Sequence, residues 1–472
     1  MTHLFTSFRL PVIIVSFLCF FFFQLDLHAQ NISGSWSGTL HLPGMELTLV
    51  FHLDKTGDDW TATMDSPDQN ATDIPASSVI YEAPELYIEI QNGLIRYEGA
   101  WKKEDDSIEG TFKQSGMSFP LVLKRGAPTT EQNARPQTPE PPYPYESKEV
   151  NFSNPKANHI SLAGTLTLPP GNAPFPAVIL ITGSGPQDRD ETLFDHKPFL
   201  VISDYLTRHG IAVLRFDDRG TAESEGDFTT ATTADFATDV EAAVAFLKTT
   251  KEIDPARIGL IGHSEGGIIA PMVAASDPDL AFIVLLAGPG YPGAEILLMQ
   301  NEALGRASGI SEDQLNKSEK INEKIYKIIT SEDPDSAAIQ KMTDLITSAL
   351  PEDLPEEAKK EQAKAQIDQM MSPWMHFFLK NDPADYLKNV RCPVLALNGD
   401  KDLQVPAQQN LNAIEKALLE AGNDQVTTRS YAGLNHLFQE AETGLPTEYG
   451  QIEMTFSPEV LEDITKWILK IL

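Results

Sequence analysis

The chain has 472 residues, of which 41% are hydrophobic, and carries a formal net charge of −32. That apolar share supports packed cores and excludes a compositionally disordered chain, and the length exceeds one ordinary domain. The acidity reads as solubility and self-repulsion; it argues against a nucleic-acid partner, whose phosphates would be repelled, and no Lys/Arg cluster overrides it.

Residues 1–29 have the pattern of a secretory signal peptide. Arg9 supplies a basic start, Val12 to Phe23 is an apolar run too short to span a bilayer comfortably, and Leu27-His28-Ala29 offers a small residue at the cut. The expectation is an exported protein, periplasmic or secreted, beginning at Gln30 and without a membrane attachment once the signal is removed. Cys19 is a poor lipidation site because Leu18 before it is not small. Without the signal only Cys392 remains, so no internal disulfide is expected, and Cys392 reads as a buried small hydrophobe.

Residues 30–125 alternate apolar and polar over short runs, such as Leu47 to Leu53, Leu86 to Ile90 and Phe119 to Leu123. Gly, Asp and Asn punctuate them. This predicts a small antiparallel β domain, a barrel or a sandwich. Trp36, Trp60 and Trp101 offer a sugar-stacking platform, but large aromatics more often fill a core, and core is the reading taken here. Residues 126–147, with Pro128, Pro136, Pro139, Pro141, Pro142 and Pro144 among Thr, Glu and Gln, predict a semi-rigid linker.

From residue 148 to 472 strands alternate with helices. Ile160–Leu168 reads as an antiparallel lead-in strand. Ala177–Ile181, Ile211–Phe216, Ile258–Ile261, Phe282–Leu286, Pro393–Leu397 and Val426–Tyr431 read as the main strands. Phe199–His209, Thr233–Lys248 and a closing segment with Val460, Ile464, Trp467, Ile468 and Ile471 read as helices. Repeated βα units predict an α/β domain built on a mostly parallel sheet covered on both faces. Residues 291–390 interrupt the rhythm with helical spacing of Ile321, Ile325, Ile329, Met342, Ile346 and Ile367. An insertion after a strand's C-terminal end lies over the ligand edge of such a sheet, which predicts a helical cap shaping the pocket.

Gly262-His263-Ser264-Glu265-Gly266 fits G-x-S-x-G and stands between a strand and a helix, the context that makes the motif a nucleophile turn. Ser264 is therefore the candidate nucleophile, against the plainer reading of a helix cap. A serine hydroxyl needs a base, and the base a carboxylate. In this type of fold they follow in the order Ser, acid, His. His436 follows the last strand and is the candidate base. Of the ten histidines, His3 and His28 fall in the signal, while His41, His52 and His159 lie outside the parallel sheet. His196, His209 and His376 do not follow the last strand, though His376 falls in the cap and can line the pocket. His263 adjoins the serine and is expected to point away from it. The candidate acid is Asp402 in preference to Asp400, because the loop must turn at Gly399 before a carboxylate reaches the histidine. The oxyanion hole requires two N–H groups, expected from Glu265 and from Thr182-Gly183-Ser184-Gly185-Pro186, where Ser184 is chosen. Asp188, Arg189 and Asp190 either read a polar substrate group or brace that loop. The sequence has no His-Glu-x-x-His, paired cysteines or Walker A motif, so no metal or cofactor is expected.

Thr182 to Glu191, His196-Lys197-Pro198-Phe199, Asp217-Asp218-Arg219-Gly220, Gly262 to Gly267 and Leu397 to Pro406 together resemble the α/β-hydrolase superfamily. The closer likeness is to bacterial carboxylesterases of the serine aminopeptidase-like branch, with Ser372-Pro373-Trp374 and Phe377-Phe378 similar to their exit from the cap. The resemblance covers residues 148–472. It implies an α/β-hydrolase fold with a helical cap insertion, preceded here by the small antiparallel β domain, and hydrolysis of short acyl esters through a serine acyl-enzyme without a cofactor. One departure stands out: Gly220-Thr221-Ala222-Glu223-Ser224 has Ala222 where relatives carry a second glycine, which bears on the shape of that loop. The competing expectations are a serine peptidase acting on short peptides or aminoacyl amides, in which Glu265, Asp188 and Asp190 hold a substrate amine, and a polysaccharide-binding protein with an inactive hydrolase domain. The natural acyl and alcohol groups and the oligomeric state are not written in the sequence.

Overall fold

The computed structural model describes residues 32–472 apart from 43–44, 58, 68–70, 91–94, 115–116, 127–134, 332–334, 351–353 and 355. The expected signal at residues 1–29 lies outside the described residues.

Among the described residues eight antiparallel strands come first: β1 (Gly34–Leu42), β2 (Met45–Thr56), β3 (Asp59–Ser66), β4 (Ala71–Glu82), β5 (Glu85–Ile90), β6 (Ile95–Lys102), β7 (Ser107–Gln114) and β8 (Met117–Arg125). Each pairs with the next, and β8 returns to β1 through Trp36 opposite Arg125 and Ser37 opposite Lys124, so the sheet is a closed barrel rather than a sandwich. The period of two sends Leu86, Ile88 and Ile90 of β5 inward. Trp36 is fully buried, with its indole N–H donating to the Ile32 carbonyl at 2.7 Å. Trp60 and Trp101 are partly buried and pack against the same core, alongside Phe51, Tyr97 and Phe112. All three tryptophans thus pack in or against the barrel core.

The second sheet contains β9 (Glu146–Asn154), β10 (Ile160–Leu168), β11 (Phe175–Ile181), β12 (Ala212–Phe216), β13 (Ile253–His263), β14 (Phe282–Leu286), β15 (Val394–Gly399) and β16 (Val426–Tyr431). Their spatial order is β9-β10-β12-β11-β13-β14-β15-β16. β10 runs antiparallel to both neighbours, and the pairs from β12 to β16 are parallel. Alternate residues of β11 face opposite cores. Ala177, Ile179 and Ile181 meet Val240 and Val244 of α2 (Thr233–Thr249), Ile269 and Val273 of α3 (Gly266–Ser276), and Ile414 and Leu418 of α10 (Ala407–Glu420). Val178 and Leu180 meet Phe199, Ile202 and Leu206 of α1 (Pro198–Arg208) and Val460, Ile464 and Ile468 of α11 (Pro458–Ile471). Each such fully buried aliphatic side chain contributes about 1.5–3 kcal/mol. This is the α/β-hydrolase architecture.

Between β14 and β15 the described residues form six helices: α4 (Gly293–Ala307), α5 (Glu312–Ile329), α6 (Asp335–Ala349), α7 (Glu356–Met370), α8 (Pro373–Lys380) and α9 (Ala384–Leu387). They close a small core of their own around Ile325, Ile329, Met342, Ile346 and Ile367.

Two local features differ from the sequence reading. The segment read as a spacer is fastened to the sheet domain over its described C-terminal part, and β9 already begins at Glu146. The Arg135 guanidinium donates to the carbonyls of Phe194, Gly450 and Ile452, each at 2.8 Å, and the Gln137 amide donates to Phe456 O at 2.7 Å. The polar side chains between the prolines satisfy loop carbonyls that have no partner within a helix or strand. Ala222 adopts φ 46°, the left-handed region, so the turn keeps a glycine-type backbone with a side chain in place.

Candidate active site

Strand β13 ends at His263 and α3 begins at Gly266, leaving Ser264 and Glu265 to make the turn. Ser264 has φ 52°, a left-handed conformation that costs an L-residue about 1–2 kcal/mol. The surroundings hold it there: Ser264 N–H donates to Leu286 O at 2.9 Å, and Ser264 O accepts from Gly267 N–H at 2.8 Å. Glycine is obligatory around it. A Cβ on Gly262 would stand 2.0 Å from Gly266 O, and one on Gly266 would stand 2.3 Å from Ile181 O. The serine is thereby lifted to the C-terminal edge of the sheet, at the start of α3, where backbone N–H groups favour a developing negative charge.

His436 lies on the loop after β16 and Asp402 on the loop after β15. The Asp402 carboxylate has a fixed orientation. Oδ1 accepts the N–H groups of Gln404 and Val405, both at 2.8 Å, and Oδ2 faces His436 Nδ1 at 2.8 Å. Both side chains are buried. Because a carboxylate only accepts, the hydrogen belongs on Nδ1, which leaves Nε2 with its lone pair. Asp400 does something else: its Oδ1 accepts Gly433 N–H at 2.7 Å, and it is exposed. The loop turns at Gly399, where a Cβ would stand 2.0 Å from Leu434 O.

Ser264, His436, Ser184 and Glu265 all line one cavity of about 250 Å³. The cap supplies part of its wall through Ile296, Leu297 and Gln300 of α4 and Trp374 and Phe378 of α8. His376 does not line it. The N–H groups of Ser184 and Glu265 donate to no protein acceptor among the described residues. The neighbouring Gly183 N–H is taken by Glu191 Oε1 at 2.8 Å. The oxyanion loop is anchored below by Asp218, which accepts from the Thr182 hydroxyl at 2.8 Å and Gln187 N–H at 3.0 Å. Burial raises the pKa of Asp218 well above the ordinary carboxylate range, against those two bonds.

Several participants were not singled out by sequence, or were assigned another role. The Glu265 side chain is buried beside the cavity, where its Oε1 accepts from the Thr233 hydroxyl at 2.6 Å and from Trp374 Nε1–H at 2.8 Å. Burial raises its pKa, opposed by bonds from Thr233, Trp374 and Ser184. The Trp374 bond ties the cap to the serine turn. His263, expected to point away, is buried against the loop of the candidate base: its ring lies 4.9 Å from that of His436, and Nε2 is 3.1 Å from His436 O. Its Nδ1 meets Glu191 Oε1 at 2.8 Å. Asp188, Arg189 and Asp190 brace the loop and do not line the cavity. Arg189 pairs with Asp217 and Glu223, both at 2.6 Å, Asp190 pairs with Arg215, and Asp188 accepts from Thr192 N–H at 2.9 Å. Among the described residues no group of three or more His, Cys, Asp or Glu is placed to hold a metal ion.

Residues 158–421 match the family described as X-Pro dipeptidyl-peptidase (S15 family). The chain belongs to this family. The S15 chain is a serine hydrolase of the α/β-hydrolase superfamily, and the match spans the sheet from β10 through α10, including Ser264 and Asp402. It is also similar to the esterase EstD of Thermotoga maritima, with 27% identity over 338 residues that cover 70% of this chain and 69% of that protein. Among solved structures it resembles the Pyrococcus furiosus esterase Pf2001, with 16% identity, TM-score 0.41 and coverage of 69% of this chain and 93% of that one. It also resembles the α/β hydrolase GrgF from Penicillium sp. sh18, with 15% identity, TM-score 0.44 and coverage of 69% and 98%.

Proposed function

We propose that the protein is an exported carboxylesterase that cleaves short-chain esters through an acyl-enzyme. Ser264 Oγ attacks the ester carbonyl while His436 Nε2 takes its proton; His436 then protonates the leaving alcohol. Water, deprotonated by the same imidazole, releases the acid and restores the serine. Asp402 fixes the tautomer of His436 and stabilises the imidazolium. The N–H groups of Glu265 and Ser184 receive the oxyanion.

One observation carries the reading: a serine held at φ 52° shares a cavity with a histidine whose Nδ1 is committed to a buried, doubly anchored aspartate. The cavity's 250 Å³ lies at the small end of ligand pockets, which supports short acyl groups. The esterase named among the relatives supports ester over amide. So does the engagement of Asp188 and Asp190 in the loop brace, which withdraws two of the three carboxylates proposed to hold a substrate amine. A buried barrel core around Trp36 gives no support to a polysaccharide-binding reading. Export rests on the composition of residues 1–29 alone.

The test is a panel of p-nitrophenyl esters of increasing acyl length set against aminoacyl and dipeptidyl p-nitroanilides at matched concentration. The expected result is the highest kcat/KM on the shortest esters. Faster turnover of the anilides would replace the esterase reading with the peptidase one.

A further inference from the structure

We infer that His263 and Glu191 form a positioning pair in which His263 is held as an imidazolium that donates from both ring nitrogens at once, fixing the spacing between the oxyanion loop and the loop of the base. The inference rests on the reading of Ser264 as nucleophile and His436 as base.

The geometry assigns the protons. Nε2 of His263 faces the backbone carbonyl of His436 at 3.1 Å, and a carbonyl can only accept, so Nε2 carries hydrogen. Nδ1 faces Glu191 Oε1 at 2.8 Å. That same oxygen accepts the Gly183 N–H at 2.8 Å, and as a carboxylate oxygen, which only accepts, it takes a second donor in Nδ1–H. Two acceptors on two nitrogens call for two protons. Burial opposes charge on His263, but the Glu191 carboxylate and its bond outweigh it, and the His263 pKa is raised. The charged and titratable groups facing the ring are Glu191 on the loop after β11, His436 on the loop after β16 and, beyond it, Asp402 on the loop after β15.

The consequence is mechanical. A single carboxylate oxygen holds Gly183, the residue before the expected oxyanion donor Ser184. Through His263 the same oxygen holds the main chain of His436. The ring doing this sits one residue before Ser264. Three loops from separate strands are thus tied at one buried point. Glu191 itself stands at φ 53°, a left-handed conformation that a surrounding structure must enforce.

Glu191→Gln breaks this chain at one link without changing its size. Beside a neutral imidazole whose one N–H goes to the His436 carbonyl, the new amide can turn its oxygen to Gly183 N–H or its NH₂ to Nδ1, but no single atom serves both, so one of the two links is lost. The expected result is a fall in kcat on a p-nitrophenyl ester of about 10- to 100-fold, the scale of one lost charge-assisted bond, with KM changed by less than about threefold. The phosphonylation rate of Ser264 by a fluorophosphonate should fall in parallel. Glu191→Asp, which keeps the charge on a shorter arm, should recover part of kcat. A Glu191→Gln enzyme with kcat within about twofold of wild type would overturn the inference, as would a loss confined to KM. Should the variant fail to fold, ¹⁵N-histidine spectra of the wild-type protein decide: an imidazolium signal that persists above the pH at which a free histidine loses its charge is expected, and neutral rings throughout would overturn it. Activity surviving in Ser264→Ala would instead remove the parent reading.

Discussion

Replacing Asp402 by asparagine separates orientation from charge in a way the structure makes quantitative. Asp402 Oδ1 accepts two backbone N–H groups, so in Asp402→Asn the amide oxygen must occupy that place. The opposite flip would leave two buried donors unpaired, at about 1–3 kcal/mol each, or roughly 2–6 kcal/mol together. The amide NH₂ is therefore aimed at His436 Nδ1, where Oδ2 now stands at 2.8 Å. Nδ1 must then accept, its hydrogen moves to Nε2, and the nitrogen required to take the serine proton no longer has a lone pair. The expected loss in kcat is about 10³- to 10⁴-fold, equivalent to roughly 4–5.5 kcal/mol of barrier. It is measured by steady-state hydrolysis of a short p-nitrophenyl ester at the pH of maximal wild-type rate. Asp400→Asn is the companion, since the exposed Asp400 carboxylate accepts Gly433 N–H, which an amide oxygen can also accept, and its rate should stay within about twofold. A loss smaller than about tenfold in Asp402→Asn, or a larger loss in Asp400→Asn, would refute the reasoning.

Two further outcomes follow from stability. Ala222→Gly relieves a left-handed residue and should raise stability by about 0.5–1 kcal/mol, read as a higher midpoint in urea; an unchanged or lower midpoint would show that the turn stores no such strain. His196 is buried with Nδ1 on the Thr455 hydroxyl at 2.8 Å and Nε2 on Tyr449 O at 2.9 Å, and burial lowers its pKa from 6.5 to about 4. The unfolded chain then takes up the proton before the folded one does. The contribution is complete above pH 6.5 and is lost as pH falls toward about 4, at about 1.4 kcal/mol per unit and roughly 3 kcal/mol in all. His196→Gln should lose less stability than wild type between neutral and mildly acidic urea titrations, and equal losses would contradict the assignment.

What the sequence disclosed follows from where the physical constraint is local. The serine turn was legible because its glycines act on residues within a few positions: Gly262 is crowded by Gly266. The pairing of Asp402 with His436 was legible because chain order along the sheet places their loops at one edge. The β alternation of residues 30–125 announced strands but left barrel and sandwich open, since closure depends on β8 finding β1, about ninety residues apart. The pairing of Glu191 with His263 was missed because their partners stand far off in the chain, His436 being 173 residues beyond His263. The segment around Arg135 resembled a free spacer by composition, and its bonds to Gly450 and Ile452 have no local signature. Trp374 stood out only as part of a cap exit; its indole bond to Glu265, 109 residues away, became visible only once α8 was docked on the serine turn.

Everything in the mechanism depends on Ser264 being the nucleophile. The most direct measurement is the mass of the protein after reaction with a fluorophosphonate, followed by peptide mapping, in wild type and in Ser264→Ala. The expected result is one adduct per wild-type chain, located on the peptide that contains Ser264, together with no adduct and no ester turnover in Ser264→Ala. An adduct on another residue, or undiminished turnover in Ser264→Ala, would contradict it.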